Sequence, residues 1–153
     1  LVGHSLGGAI IRAYSLKFPE RVSGLIFIDT IDESWLKNLS DEEIDNNEKE
    51  QLEFARERGV SGRAYKEKEE VFNTLKYLAL LEPLPDVPVI NLFSMGYNNE
   101  PIFKIHSKSV SQILGKGLSD FTHIEVSDSG HKIHCDQPDL VISSILEVLN
   151  KIH

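Results

Sequence analysis

The chain opens with Leu1-Val2-Gly3-His4-Ser5-Leu6-Gly7-Gly8, and this stretch decides the fold. Residues 3–7 follow the pattern G-x-S-x-G, in which a strand ends, the backbone turns sharply and a helix begins, with a serine at the apex of the turn. The first two residues are apolar and predict the end of a buried strand. Residues 9–16 continue as a predicted helix, which Pro19 stops.

The glycines and the serine of this turn have steric roles. We expect side chains at Gly3 or Gly7 to collide with neighbouring backbone, and Ser5 to adopt a strained conformation that presents its hydroxyl. The run Gly-His-Ser-Leu-Gly-Gly at residues 3–8 resembles the nucleophile turn of the α/β-hydrolase family. The resemblance implies that Ser5 is a nucleophile and that the backbone N–H of Leu6 stabilises an oxyanion.

Further apolar runs predict the rest of the sheet. Residues 24–28, 87–93 and 122–126 read as strands, the first as a strand buried on both faces of a parallel sheet. Residues 102–114 and a segment beginning at Pro138 read as helices. Together with the resemblance, this predicts an α/β fold: the C-terminal half of an α/β-hydrolase sheet, with about four mainly parallel strands flanked by helices.

Residues 31–82 differ in character from the segments around them. Ser40 and Glu43 form a capping-box pattern before an acidic helix, and a second helix is predicted over residues 63–81. We therefore divide the chain into a partial hydrolase core, residues 1–30 and 83–153, and an inserted helical cap, residues 31–82. The alternative for the insertion is an ordinary solvated helical hairpin.

A serine hydroxyl needs an adjacent base to remove its proton. His131 is the candidate, because it follows the last predicted strand and precedes the last helix, where the resemblance places the catalytic histidine. The nearest rival in the sequence is His134. The order of serine first and histidine last also agrees with the family.

The acid that orients the histidine is left open between two residues. The family most often places an Asp after the strand at residues 87–93, but this sequence has Tyr97-Asn98-Asn99-Glu100 there. Either Glu100 serves, or Asp29 serves from the end of the strand at residues 24–28, as in some relatives. Asp29 follows the carboxyl end of its strand, where catalytic groups gather in open α/β sheets.

Composition restricts the partners. The 153 residues carry a net charge of −8, which disfavours nucleic acid and anionic membranes as ligands. No apolar run reaches the length of a membrane span. Cys135 is the single cysteine, so no internal disulfide is possible, and a reducing, cytoplasmic location is expected. No cofactor or metal is implied, and the expected partner is a small apolar substrate.

The sequence thus predicts a serine-dependent hydrolase of a small apolar ester or similar acyl compound, working through an acyl-enzyme. An acyltransferase, a haloperoxidase-like enzyme and a non-catalytic ligand-binding or signalling protein of the same fold are the alternatives. Because the chain starts inside the turn motif, we expect a fragment. A second oxyanion donor of the family would precede it, so we expect the fragment alone to be a very poor catalyst.

Overall fold

In the part of the chain that the structure describes, the sheet has four strands, all parallel. A computed structural model describes residues 1–36, 39–96 and 101–152. The strands are β1 (Val2–His4), β2 (Leu25–Ile28), β3 (Val89–Ser94) and β4 (Phe121–Val126), and they lie side by side in chain order. The predicted α/β fold with four parallel strands is confirmed.

Helices alternate with the strands along the described chain. They are α1 (Leu6–Lys17), α2 (Asp41–Glu57), α3 (Gly62–Glu69), α4 (Val71–Leu78), α5 (Pro101–Leu114), α6 (Ile133–Asp136) and α7 (Pro138–Lys151), with 3₁₀ turns at Pro19–Arg21 and Glu33–Leu36. Within the described residues, no helix is both long and apolar enough to cross a membrane.

Strand β2 lies at the centre of the core, with all four of its side chains buried. Successive side chains of a strand point to opposite faces. Leu25 and Phe27 therefore join one apolar cluster, which includes side chains of α1 and α5. Ile26 and Ile28 join a second cluster on the other face, which includes side chains of α6 and α7. This double burial explains why the strand is a continuous apolar run.

The chain separates into two compact units. One consists of Leu1–Asp32 and Glu82–His153, and the other of Glu33–Leu81. The sheet and its covering helices belong to the first unit, and α2, α3 and α4 belong to the second. That the inserted helices act as a cap stays a prediction.

The second unit follows its local sequence signals, with one exception. The predicted capping box forms, since the Ser40 hydroxyl accepts from the Glu43 N–H and the Glu43 carboxylate accepts from the Ser40 N–H. The helix predicted over residues 63–81 is instead two helices that meet at Glu70. The Glu70 carbonyl accepts from both the N–H and the hydroxyl of Thr74. Such back-bonding by Thr bends a helix.

The first unit also differs from the prediction, in small shifts of element ends and in one additional helix. Strand β3 begins at Val89 rather than at residue 87, and Pro88, which precedes it, has no N–H to donate. The short helix α6, which was not predicted, lies between β4 and the predicted closing helix that begins at Pro138. One helical turn is too short for its apolar residues to show a helical period.

Candidate active site

Ser5 stands between β1 and α1 in a strained conformation, as predicted. Its φ of 54° and ψ of −124° are unusual for a residue with a side chain. Such strain costs about 1–3 kcal/mol and persists only where neighbouring groups impose it. Here the Ser5 N–H donates to the Ile28 carbonyl, and the Ser5 carbonyl accepts from the N–H groups of Gly8 and Ile31 and from the Thr30 hydroxyl. The end of β2 therefore holds the serine in place.

Two glycines allow the turn to pack this closely. A Cβ added at Gly3 would lie 2.6 Å from the Gly7 carbonyl oxygen, which bears out the expectation for this position. At Gly7 the expectation is wrong, because an added Cβ would meet nothing within 4 Å. The second crowded position is Gly8, where a Cβ would lie 1.7 Å from the Thr30 hydroxyl oxygen.

We expect Gly3→Ala to lower the free energy of unfolding by about 1–3 kcal/mol, the usual cost of overpacking against atoms that cannot move away. Gly7→Ala is the matched control, since its new methyl meets open space and alanine is favoured over glycine in a helix. Urea denaturation of both variants measures the difference. An equal loss in both would show that the close approach at Gly3 does not limit packing.

Asp29 and His131 meet at the carboxyl edge of the sheet. The Nδ1 atom of His131 lies 2.7 Å from Oδ2 of Asp29. Because an ionised carboxylate only accepts hydrogen bonds, Nδ1 carries the hydrogen, and Nε2 of the neutral ring is left as the basic nitrogen. The Asp29 side chain is 18% exposed and that of His131 is 54% exposed. The arrangement suits a base that faces solvent or substrate while a sheltered carboxylate orients it.

Of the residues singled out in the sequence, the structure joins Asp29 and His131 directly and places Ser5 beside them through β2. Ser5 bonds to Ile28, the residue before Asp29. No hydrogen bond joins the Ser5 hydroxyl to His131 among the described residues, and catalytic hydrogen bonds are often long before a substrate binds. Glu100 lies outside the described residues. The catalytic roles of these residues stay predictions.

Ser94, which the sequence did not single out, connects the acid to the histidine loop. Its backbone N–H donates to Oδ1 of Asp29 at 3.0 Å, and its hydroxyl donates to the Ser129 carbonyl at 2.7 Å. Ser94 is the last residue of β3 and is buried. A backbone donor exists at almost every position, so the sequence holds no signal for the first of these contacts.

Asp136 fixes the loop that carries His131. Its Oδ2 accepts from the N–H of Gly130 and lies 3.1 Å from the Ser129 hydroxyl oxygen. Asp136 is the last residue of α6, so this one-turn helix places the carboxylate over the loop. The signal available in the sequence was an Asp five residues after the histidine, which alone does not distinguish a loop contact from a solvated side chain.

Three histidines are grouped at the site. The ring centroid of His4 lies 4.5 Å from that of His131 and 4.7 Å from that of His134. His131 is the member that pairs with Asp29, whereas His134 lies on α6. Across the described ranges, no three His, Cys, Asp or Glu side chains are arranged to hold a metal ion. The group is therefore a ring contact and not a ligand set.

A second set of serine, histidine and carboxylate lies between α5 and β4 in the first unit. The Ser107 hydroxyl lies 2.7 Å from Nε2 of His123 and donates to Glu125, while the Asn91 amide nitrogen lies 2.9 Å from Nδ1 of His123. Burial lowers the pKa of His123, and the nearby Glu125 carboxylate opposes this shift. Ser107 has no exposed surface, so it cannot meet a substrate. The set ties α5 to β3 and β4.

One apolar cavity of about 270 Å³ lies away from Ser5, Asp29 and His131. It borders the free side of β1 and is lined mainly by apolar residues, among them Leu1, Val2, Ile145, Val148 and Ile152. None of the histidines described above reaches it. Its position gives it no part in the chemistry at the carboxyl edge of the sheet.

The fold and the strand–serine–helix turn can be compared with those of known protein families. Residues 1–58 match the family described as the α/β hydrolase fold, and solved structures of that fold cover the whole chain. These likenesses show that the chain has the α/β-hydrolase fold, and the family match covers its first 58 residues.

Individual relatives match either a short stretch or the fold. Over 29 residues, 19% of this chain and 8% of that protein, it is 59% identical to the mouse (Lyso)-N-acylphosphatidylethanolamine lipase. Mouse α/β hydrolase domain-containing protein 10 superposes with a TM-score of 0.61 at 21% identity, over all of this chain and 62% of that one. A Bacillus subtilis carboxylesterase superposes with a TM-score of 0.55 at 18% identity, over 97% and 59% of the two chains. The chain thus spans less than two thirds of the length of these proteins.

Proposed function

We propose that this chain supplies the nucleophile, base and acid of a serine-dependent hydrolase that acts on small apolar esters or similar acyl compounds. The observation that carries the proposal is the 2.7 Å contact between Nδ1 of His131 and the Asp29 carboxylate, at the sheet edge where strained Ser5 also lies. A partly buried carboxylate, an exposed imidazole and a serine on a sharp turn are the parts that acyl transfer to serine requires.

The proposed reaction follows from the tautomer that Asp29 imposes. With hydrogen on Nδ1, the Nε2 atom of His131 takes the proton of the Ser5 hydroxyl as its oxygen attacks the substrate carbonyl carbon. The imidazolium then gives this proton to the leaving alkoxide, and the carbon–oxygen bond to that group breaks. Water attacks the acyl-enzyme by the same route and frees Ser5.

The oxyanion formed in each step needs hydrogen-bond donors. Leu6 opens α1, so its N–H has no partner within that helix and points to the region beside Ser5. The positive end of the helix dipole favours negative charge at this place. We propose the Leu6 N–H as one oxyanion donor; loss of a single donor in such a site typically costs about 10²–10³ in turnover.

The substrate class and the cap are parts of the same proposal. A carboxylesterase and a lipase are among the relatives, and the net charge of −8 opposes anionic substrates. The unit Glu33–Leu81 is inserted directly after the carboxyl end of β2, where Asp29 lies. We propose that this insertion is the helical cap predicted from the sequence.

Labelling with a fluorophosphonate, read by intact mass, tests the proposal. We expect the protein to gain one phosphonyl group as the Ser5 oxygen displaces fluoride, and we expect Ser5→Ala to abolish this gain. Ser143→Ala is the matched control, because Ser143 is exposed on α7 and should leave the labelling unchanged.

If the folded protein takes no label, the result would contradict the proposal and favour a ligand-binding protein of this fold. Label that persists in Ser5→Ala would place the reactive serine elsewhere. Turnover of p-nitrophenyl acetate then separates a hydrolase from an acyltransferase, since the hydrolase releases acetate without an added alcohol or amine acceptor.

A further inference from the structure

His4 makes a contact that the proposed reaction does not use. It is the last residue of β1 and directly precedes Ser5. Its Nε2 atom lies 2.8 Å from the backbone carbonyl oxygen of His131, which is 127 residues away in the chain. Because a carbonyl oxygen only accepts, Nε2 of His4 carries the hydrogen and donates it. The residue beside the serine thus holds the backbone of the proposed base.

The His4 backbone is itself fixed to the sheet. His4 pairs with Ile28 in the parallel register of β1 and β2, and Ser5 donates its N–H to the Ile28 carbonyl. Ile28 precedes Asp29, whose N–H continues the ladder to Leu92. The hydrogen-bonded pair of strands β1 and β2 therefore positions Ser5, Asp29 and the His4 side chain together.

His131 depends on such contacts because packing holds it weakly. Its side chain is 54% exposed, so few neighbouring atoms restrict the ring. Asp29 fixes the ring through Nδ1, and this contact still allows the ring to swing about the hydrogen bond. The His4 contact restrains the backbone from which the ring projects.

We propose that His4 is a positioning residue that sets the separation of Ser5 and His131 by donating from Nε2 to the His131 carbonyl. The proposal rests on the function proposed above for Ser5 and His131. The Nε2–H donor of His4, and not its aromatic ring, is the property that matters for this role. The ring contacts with His131 and His134 are then secondary.

A positioning role differs from a merely structural one in what is lost. The contact is exposed, so water can replace the donor, and folding should be nearly unaffected when it is removed. A water molecule that replaces the donor would not keep the distance between the Ser5 hydroxyl and the His131 ring constant. A displacement of about 1 Å in such a pair lowers the rate by about 10²-fold.

Two substitutions separate the donor from the ring. His4→Phe keeps an aromatic ring and removes the donor, while His4→Gln removes the ring and places an amide N–H near the original Nε2. We expect His4→Phe to lower kcat for p-nitrophenyl acetate by about 10–100-fold, with KM little changed. We expect the rate of fluorophosphonate labelling to fall by the same factor. We expect His4→Gln to recover most of both rates.

Amide hydrogen exchange of residues 130–133 supplies a readout that needs no activity. We expect faster exchange there in His4→Phe than in the unchanged protein, and near-unchanged exchange in His4→Gln. If the unchanged protein takes no label but shows this exchange pattern, the proposed function is refuted and the hold on the loop stands. Equal exchange in all three proteins would overturn the inference, as would equal labelling rates in His4→Phe and the unchanged protein. Equal impairment of both variants would assign the effect to the ring and also overturn it.

Discussion

Asp29→Asn is expected to lower kcat/KM by about 10⁴, the loss seen when the acid of such a triad becomes an amide. The contacts of Asp29 explain why the loss should be large. Its Oδ1 accepts from the Ser94 N–H, and an asparagine would keep its carbonyl oxygen there. The amide NH₂ would then face Nδ1 of His131, 2.7 Å from the present Oδ2 position. A donor at this place forces Nδ1 to accept and moves the ring hydrogen to Nε2, where no base remains.

The measurement is kcat/KM for hydrolysis of p-nitrophenyl acetate by the protein and by the variant. Asp86→Asn is the control, since Asp86 accepts from Ser119 on the surface and is remote from the proposed chemistry. A loss of less than about tenfold in Asp29→Asn would show that another acid orients His131, because removal of the true acid costs far more. Glu100→Gln would then be expected to carry the large loss.

Phe27→Ala is expected to cost about 3–5 kcal/mol of unfolding free energy. Phe27 has no exposed surface and lies on the central pair of strands, packed in the cluster that includes side chains of α1 and α5. Its removal leaves a cavity in a rigid sheet that can close only partly. Since whole domains are stable by about 5–15 kcal/mol, the loss is a large part of the total.

Urea denaturation followed by circular dichroism measures this cost. Leu80→Ala is the matched control, because Leu80 is 83% exposed and its truncation should change stability by less than about 0.5 kcal/mol. Similar costs for the two variants would contradict the packing described for β2. An unchanged midpoint for both would show that the sheet does not unfold as one unit with its central strand.

The elements predicted from the sequence are those whose signal is local. The turn around Ser5, the apolar run of β2 and the helix that begins at Pro138 are each specified by adjacent residues. The boundary at Glu70 was missed because residues 63–81 contain no Gly or Pro to mark a break, so the pattern predicts one helix. Helix α6 was missed because a single turn has no period to detect.

The candidate site divides in the same way. Ser5 and His131 follow from a motif and from chain order, which the sequence contains. The choice between Asp29 and Glu100 depends on which strand end approaches the imidazole, a distance that only the folded sheet defines. The contact of Ser94 with Asp29 uses the Ser94 backbone N–H, and that of His4 uses the His131 backbone carbonyl. Such backbone groups are the same whatever the side chains are.

The strand order has a consequence for when the site forms during folding. Ser5 and Asp29 lie in a single strand–helix–strand segment, and their frame closes by local contacts within residues 1–29. His131 reaches Asp29 across 102 residues, so a long loop must close before the imidazole arrives. Contacts of long sequence separation form slowly, because their closure entropy is lost before they stabilise the chain. We therefore expect the segment that carries Ser5 and Asp29 to be organised first, and the proposed active site to be completed only when the C-terminal strand and its loop have docked.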